Sequence, residues 1–164
     1  MINIERLYKL AVDTTEHKKI VMDNCLKMAQ YLMDNGRIDD AIKLLKRGAT
    51  HDDSKFDPEE FQSLASILNS DTCFTNAASK LTEAEEAAIK HHWKNNRHHP
   101  EYFSNQNNME ELDIIEMVCD WYARSIQYKT EFIPFISERM KNRFKFDDAH
   151  TEIIMKYCNL IQEL

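Results

Sequence analysis

Two glycines and three prolines in 164 residues leave this chain almost no material for tight hairpins. With Gly36 and Gly48 as its whole glycine complement, a glycine-rich phosphate-binding loop is excluded. Leu, Ile, Met, Glu, Lys and Ala dominate the remainder, and these side chains lose little freedom on entering a helix. The expected class is therefore all-α, a single compact bundle of about 6–8 helices. At 43% hydrophobic the chain can bury one core but is short for two, so one domain over residues 1–164 is expected.

Apolar spacing places the helices. Leu7, Leu10, Ala11, Ile20, Val21, Cys25, Met28, Ala29, Leu32 and Met33 recur at helical intervals, giving one long helix or two abutting ones from about Ile4 to Asn35. Thr14 or Thr15 is placed to cap a restart, and Asn35-Gly36 ends the run. A short helix from Ile38 to about Arg47 is expected to break at Gly48. Asp57-Pro58-Glu59-Glu60 opens another, running to about Leu68, with proline at its first position and carboxylates in its first turn. Residues 69–80 read as a loop, and Thr82 with Glu85 as a capping box for a helix carrying Ala88, Ile89, His92 and Trp93. The strongest stripe runs from Met109 to about Tyr128. Two helices fill residues 131–164, with Pro134 opening or kinking the first and Asp147 or Asp148 capping the second; this third reads as scaffold. In it Arg139, Lys141, Arg143 and Lys145 form a modest basic stripe.

Charge and cysteine usage narrow the function. A formal charge of −7, with 21 Lys and Arg interspersed among 28 Asp and Glu, lacks the basic footprint of a duplex-binding protein. Cys25, Cys73, Cys119 and Cys158 show no C-x-x-C spacing and read as buried apolar residues of a protein in a reducing compartment. The early charges Glu5 and Arg6, and the absence of an 18-residue apolar run, argue for a soluble cytoplasmic protein without a membrane partner.

The chemistry is carried by histidine and aspartate. His51-Asp52 stands on a connection between helices, His17 lies upstream on an inward helical face, His91, His92, His98 and His99 lie downstream, and Asp120 sits on the strongest stripe. Together they make a helical site of imidazole and carboxylate, a donor mixture suited to zinc, manganese, iron, cobalt or nickel. His91 and His92 differ by about 100° in direction, so an undistorted helix offers only one of them as a ligand. Glu116 lies one turn before Asp120 on the same apolar stripe, where two carboxylates are costly to bury unless a cation or donors meet them. Lys55, three residues past Asp52, directs a cation toward the same place.

The order His17, His51-Asp52, later histidines, Asp120 resembles the HD superfamily of helical metal-dependent phosphohydrolases. His51-Asp52-Asp53-Ser54-Lys55-Phe56 is similar to that superfamily's His-Asp-x-(Gly or Ser)-Lys motif. More narrowly, three stretches resemble the small phage and bacterial family DUF5662. They are HDxSKF followed by Pro58-Glu59-Glu60-Phe61, HHxxxNxHH from His91 to His99, and Glu116-Met117-x-x-Asp120-Trp121-x-Ala123-x-Ser125. The resemblance covers residues from about 15 to 130 and implies an HD-like helical domain. It also implies that His17, His51, Asp52 and Asp120 hold a first divalent metal, while His92 with His98 or His99 holds a second, bridged by Asp52.

The implied reaction is hydrolysis of a nucleotide or other small phosphoester by metal-activated water. Asp53 or Glu116 would orient the water or take its proton, beside Asp52. Lys55, Arg97 and Asn96 would meet the phosphate oxygens. A cytoplasm of a bacterium or a phage-infected host is the implied location. Two other readings fit the same residues: a di-iron oxygenase of the HD type, and a non-catalytic phage protein that binds a nucleotide or a host protein.

Overall fold

A computed structural model describes residues 3–67 and 81–164. The expected loop over 69–80, and Cys73 within it, lie outside the described residues. Among those described there is no strand, and the all-α expectation holds, with seven α-helices joined by turns and three short 3₁₀ segments. No helix among them is long and apolar enough to cross a membrane. The chain divides into two compact units, the first formed by Met1–Glu16 and Asp52–Asn96 and the second by His17–His51 and Arg97–Leu164.

The long first helix, α1, is unbroken from Ile4 to Asp34. Neither threonine restarts it: Thr14 is buried and Thr15 bonds back to the Ala11 carbonyl at 2.7 Å. It stops where Gly36 takes the left-handed conformation, φ +78°, which lets the Gly36 and Arg37 amides reach the Met33 and Leu32 carbonyls.

In the first unit, a 3₁₀ segment Asp53–Phe56 leads into α3, Pro58–Ile67, which packs against α4, Glu83–Asn95. Leu10, Leu64, Ala65 and Ala88 form its small apolar centre. The capping box of α4 is present: Thr82 accepts the Glu85 amide at 3.3 Å and Glu85 accepts the Thr82 amide at 2.8 Å.

In the second unit, α2, Ile38–Thr50, continues past Gly48 rather than breaking there. The physical reason is space. A Cβ on Gly48 would come within 3.0 Å of the Cys25 Cβ and 3.1 Å of the Met22 sulfur, so the glycine permits close helix packing. The centre of the unit is α5, Glu111–Tyr128, buried without interruption from Leu112 to Trp121. It begins two residues later than its apolar stripe suggests, because Glu110 and Asp113 form a capping box. Helix α5 packs against α2, against α6, Phe132–Asn142, and against α7, Asp148–Glu163. Pro134 falls in the first turn of α6, where its missing N–H has no helical partner to lose, and Asp147 caps α7 by accepting the His150 amide at 2.8 Å. Cys25, Cys119 and Cys158 are buried thiols, as their apolar settings imply.

Candidate metal centre

In the second unit three rings and two carboxylates meet. His17 projects from α1, His51 caps the C-terminus of α2, and His98 lies in the segment leading to α5; all three are buried. Helix α5 presents Asp113, Glu116, Asp120 and Gln127 at spacings of three, four and seven residues, one face of a helix. The Nε2 atoms of His17 and His51 approach the same oxygen, Asp120 Oδ1, at 2.9 and 3.9 Å. One donor atom from each of the three residues lies within 4.8 Å of the others. A cation about 2.0–2.2 Å from each donor spans such a gap with a small contraction.

The far side of each ring is held by an acceptor. His17 Nδ1 lies 2.9 Å from Gln127 Oε1, and the same oxygen takes a bond from Arg124 Nη1 at 3.2 Å. Because arginine can only donate, the oxygen's identity is fixed, and His17 Nδ1 must carry the proton. Likewise His51 Nδ1 and His98 Nδ1 both address Glu116 Oε1, at 3.1 and 3.3 Å. Each ring is thereby set in the tautomer whose Nε2 bears a lone pair, the arrangement that carboxylates and amides impose on metal-binding histidines. A lone pair of His17 facing a carboxylate oxygen at 2.9 Å requires a proton or a metal cation between them.

The electrostatics agree. Burial would raise the Glu116 pKa, but hydrogen bonds from His51 and His98 and the charge on those rings outweigh it and hold it at about 2. Asp120 is also opposed by burial. With a proton rather than a metal between His17 and Asp120, the hydrogen bond and charge of His17, with the charges of His51 and His98 when protonated, bring it well below the usual carboxylate range.

The remaining candidates of this unit are placed differently. Arg97, expected to meet substrate, forks onto Asp113 with Nε and Nη2 at 3.1 and 3.0 Å and lies over the rings of Tyr102 and Phe103. Arg47 reaches the same Asp113 at 2.6 Å. His99 is half-buried, its ring centroid 4.3 Å from that of His98.

The first unit has its own network. Asp52 stands in the left-handed conformation, φ 57°, uncommon for a residue with a Cβ. Its Oδ2 takes Lys55 Nζ at 2.6 Å and its Oδ1 lies 3.4 Å from His92 Nε2. Glu60 is fully buried and grips both neighbouring histidines, Oε1 with His91 Nδ1 at 2.7 Å and Oε2 with His92 Nδ1 at 3.0 Å. Burial works to raise the Glu60 pKa, but the bonds from His92 and His91 lower it below the ordinary value. Asn96 donates to Ser54 Oγ at 2.8 Å and to the His92 carbonyl at 2.7 Å, so its amide braces the α4 terminus. Asp53 is exposed.

Sequence reasoning did not single out Glu60, Asp113 or Gln127 as site residues. Glu60 reads as an ordinary first-turn carboxylate, although its position four residues before Leu64 puts it on an apolar row. Asp113 and Gln127 continue the face of Glu116 and Asp120 in both directions.

These observations define an all-helical protein with a buried imidazole–carboxylate cluster that can hold a metal ion. The chain belongs to DUF5662, a family of unknown function, whose model matches residues 7–163. No curated protein and no solved structure matches it.

Proposed function

We propose that this protein is a metal-dependent phosphohydrolase of the HD type, acting on a nucleotide or other small phosphoester. The observation that carries the reading is the pairing of His17 and His51 with Asp120 while Gln127 and Glu116 occupy the opposite ring nitrogens. Second-side partners of this kind fix a ligand's tautomer and direction, which a merely packed histidine does not need.

His17, His51 and Asp120 would hold a divalent ion, with zinc, manganese, cobalt, nickel and iron all matching the donor set. When bound, such an ion supplies Lewis acidity and lowers the pKa of water from ~15.7 toward ~7. Glu116 keeps its charge and orients the rings of His51 and His98. In the first unit, Asp52 and His92 offer a further carboxylate–imidazole pair, with Lys55 a cation beside Asp52.

The test is metal content per chain in protein purified without an affinity tag, followed by hydrolysis assays on nucleotides and phosphodiesters. A divalent metal lost in Asp120→Asn, together with phosphate release from one of these substrates, is the expected result. Iron with oxygen uptake would replace the reading by an oxygenase. Failure to take up any metal on reconstitution would replace it by a binding protein.

A further inference from the structure

The buried face of α5 carries Asp113, Glu116 and Asp120, and carboxylates spaced so closely are costly to bury unless cations stand among them. A metal ion on His17, His51 and Asp120 would offset the last of the three. Asp113 is offset by Arg97, whose Nε and Nη2 take its two oxygens at 3.1 and 3.0 Å. Arg47 stands between Asp113 and Glu116. It precedes His51 by one turn on α2, is half-buried, and places its Nη1 2.6 Å from Asp113 Oδ1 and 3.8 Å from Glu116 Oε2. The longer distance is that of an ion pair without a hydrogen bond. The other Glu116 oxygen, Oε1, is shared by the Nδ1 atoms of His51 and His98.

We propose that Arg47 is a positioning residue of the metal cluster, acting through Glu116: its guanidinium fixes Oε2 so that Oε1 is presented to His51 and His98 together. This rests on the reading of the cluster as a metal site. A carboxylate held by Oε1 alone can turn about its broad terminal torsion and offer one oxygen to each ring, or both to one. With Oε2 drawn toward a fixed cation, its plane gains a third point of attachment and the two rings keep a common acceptor. Arg47 is itself held from behind. Asp113 is fully buried, and its Oδ2 also accepts the Glu110 amide at 2.9 Å, so the carboxylate that grips Arg47 is tied to the start of α5.

The sign of the effect separates this role from simple charge. A cation near the cluster repels a divalent ion, so removing a group that acts by charge alone would tighten metal binding. Removing a group that orients the ligands weakens it.

Zinc affinity is measured by chelator competition on the full chain for wild type, Arg47→Met, Arg47→Lys and, as a control on the same helix, the exposed Lys43→Met. In parallel, the histidine ring nitrogens of the metal-free proteins are read by long-range proton–nitrogen NMR at one pH. The expected result is zinc binding about tenfold weaker in Arg47→Met, the low end of the loss for a group behind a ligand. Arg47→Lys recovers part of it, and Lys43→Met is unchanged. The Nδ1 signals of His51 and His98 shift in Arg47→Met, while that of His17, anchored on Gln127, stays in place. A general loosening of the fold would move all three. Zinc binding that is unchanged or tighter in Arg47→Met overturns the inference, as do ring signals that stay put or move together in all three histidines. Should Arg47→Met lose its helical circular dichroism, Arg47→Gln makes the same comparisons. Protein that binds zinc whatever stands at position 47 sinks this inference alone. Wild type that binds none sinks the metal-site reading, and the ring signals then decide by themselves whether Arg47 sets the two rings.

Discussion

Each unit gathers histidines around a buried carboxylate, but the two do so for different ends. In the second, one carboxylate oxygen, Asp120 Oδ1, faces two Nε2 atoms whose rings are already anchored on their other side. In the first, the buried carboxylate is itself the anchor: Glu60 spends one oxygen on each of His91 and His92, and Asp52 is partly neutralised by Lys55. There Glu60 is satisfied by its two rings, whereas Asp52 Oδ1 faces His92 Nε2 at 3.4 Å. The second unit needs a cation or a proton between His17 and Asp120, while in the first Lys55 already places a cation beside Asp52.

The largest effect should come from breaking the second arrangement. Asp120→Asn removes the shared charge and should reduce metal per chain to background, read by elemental analysis. Glu60→Ala should leave that metal in place, because its bonds lie within the first unit. It should instead cost about 1–3 kcal/mol in chemical denaturation, since the buried His92 and the half-buried His91 lose their acceptor. Loss of metal in both variants would erase the distinction drawn here.

Glu116 sharpens the comparison by testing how far anchoring matters. Glu116→Gln keeps the shape but weakens the hold on His51 and His98, and such changes behind a ligand lower metal affinity about 10–100-fold, measurable by chelator competition. Its charge also sets a pH dependence. The folded-state pKa, at about 2, is depressed from 4.5, so its contribution to stability is fully present above the unfolded value and fades as pH falls from there through about 2. The stability gap between wild type and Glu116→Gln should therefore narrow over that interval, followed by circular dichroism on metal-free protein. A gap constant with pH would mean that Glu116 is not held by the two rings.

Much of the fold and of the cluster is legible in the sequence, and the parts that are not share a cause. Glycine scarcity implies the helices, Thr82-x-x-Glu85 marks its capping box, and the α5 stripe exposes Glu116 and Asp120 as carboxylates on a buried face. Gly48 misleads because a glycine signals either a turn or a close approach, and only Cys25 and Met22 on another helix decide between them. Arg97 looks available for substrate because its partner, Asp113, lies sixteen residues on, and nothing local says which carboxylate an arginine will meet. In the same way Glu60 and Gln127 acquire their roles from rings that sequence spacing cannot bring to them.

Packing in the second unit gives a third, smaller effect. Gly48→Ala gains up to about 1 kcal/mol of helix propensity but forces a methyl group against Cys25 and Met22, and overpacking of that kind costs about 1–3 kcal/mol. A net loss of stability in urea is expected, of order 1 kcal/mol. A gain would show that the Met22 side chain moves aside freely and that the α1–α2 approach is less tight than the distances suggest.

The smallest effect belongs to the first unit, and it concerns local structure alone. Thr82→Ala removes the side-chain oxygen that accepts the Glu85 amide, and cap losses of this type cost about 1 kcal/mol or less at an exposed end. Glu85 retains its bond from the Ser66 hydroxyl at 2.6 Å, which limits the damage. Because both groups belong to the first unit, metal content in the Asp120 cluster should not change even as denaturant resistance falls slightly. Amide exchange at the start of α4 is the sensitive readout: faster exchange confined to that first turn is expected. Faster exchange also at His17 or across α5 would mean that the two units unfold as one, and the contrast between the Glu60 brace and the Asp120 cluster would then have to be sought in their chemistry alone, not in their stability.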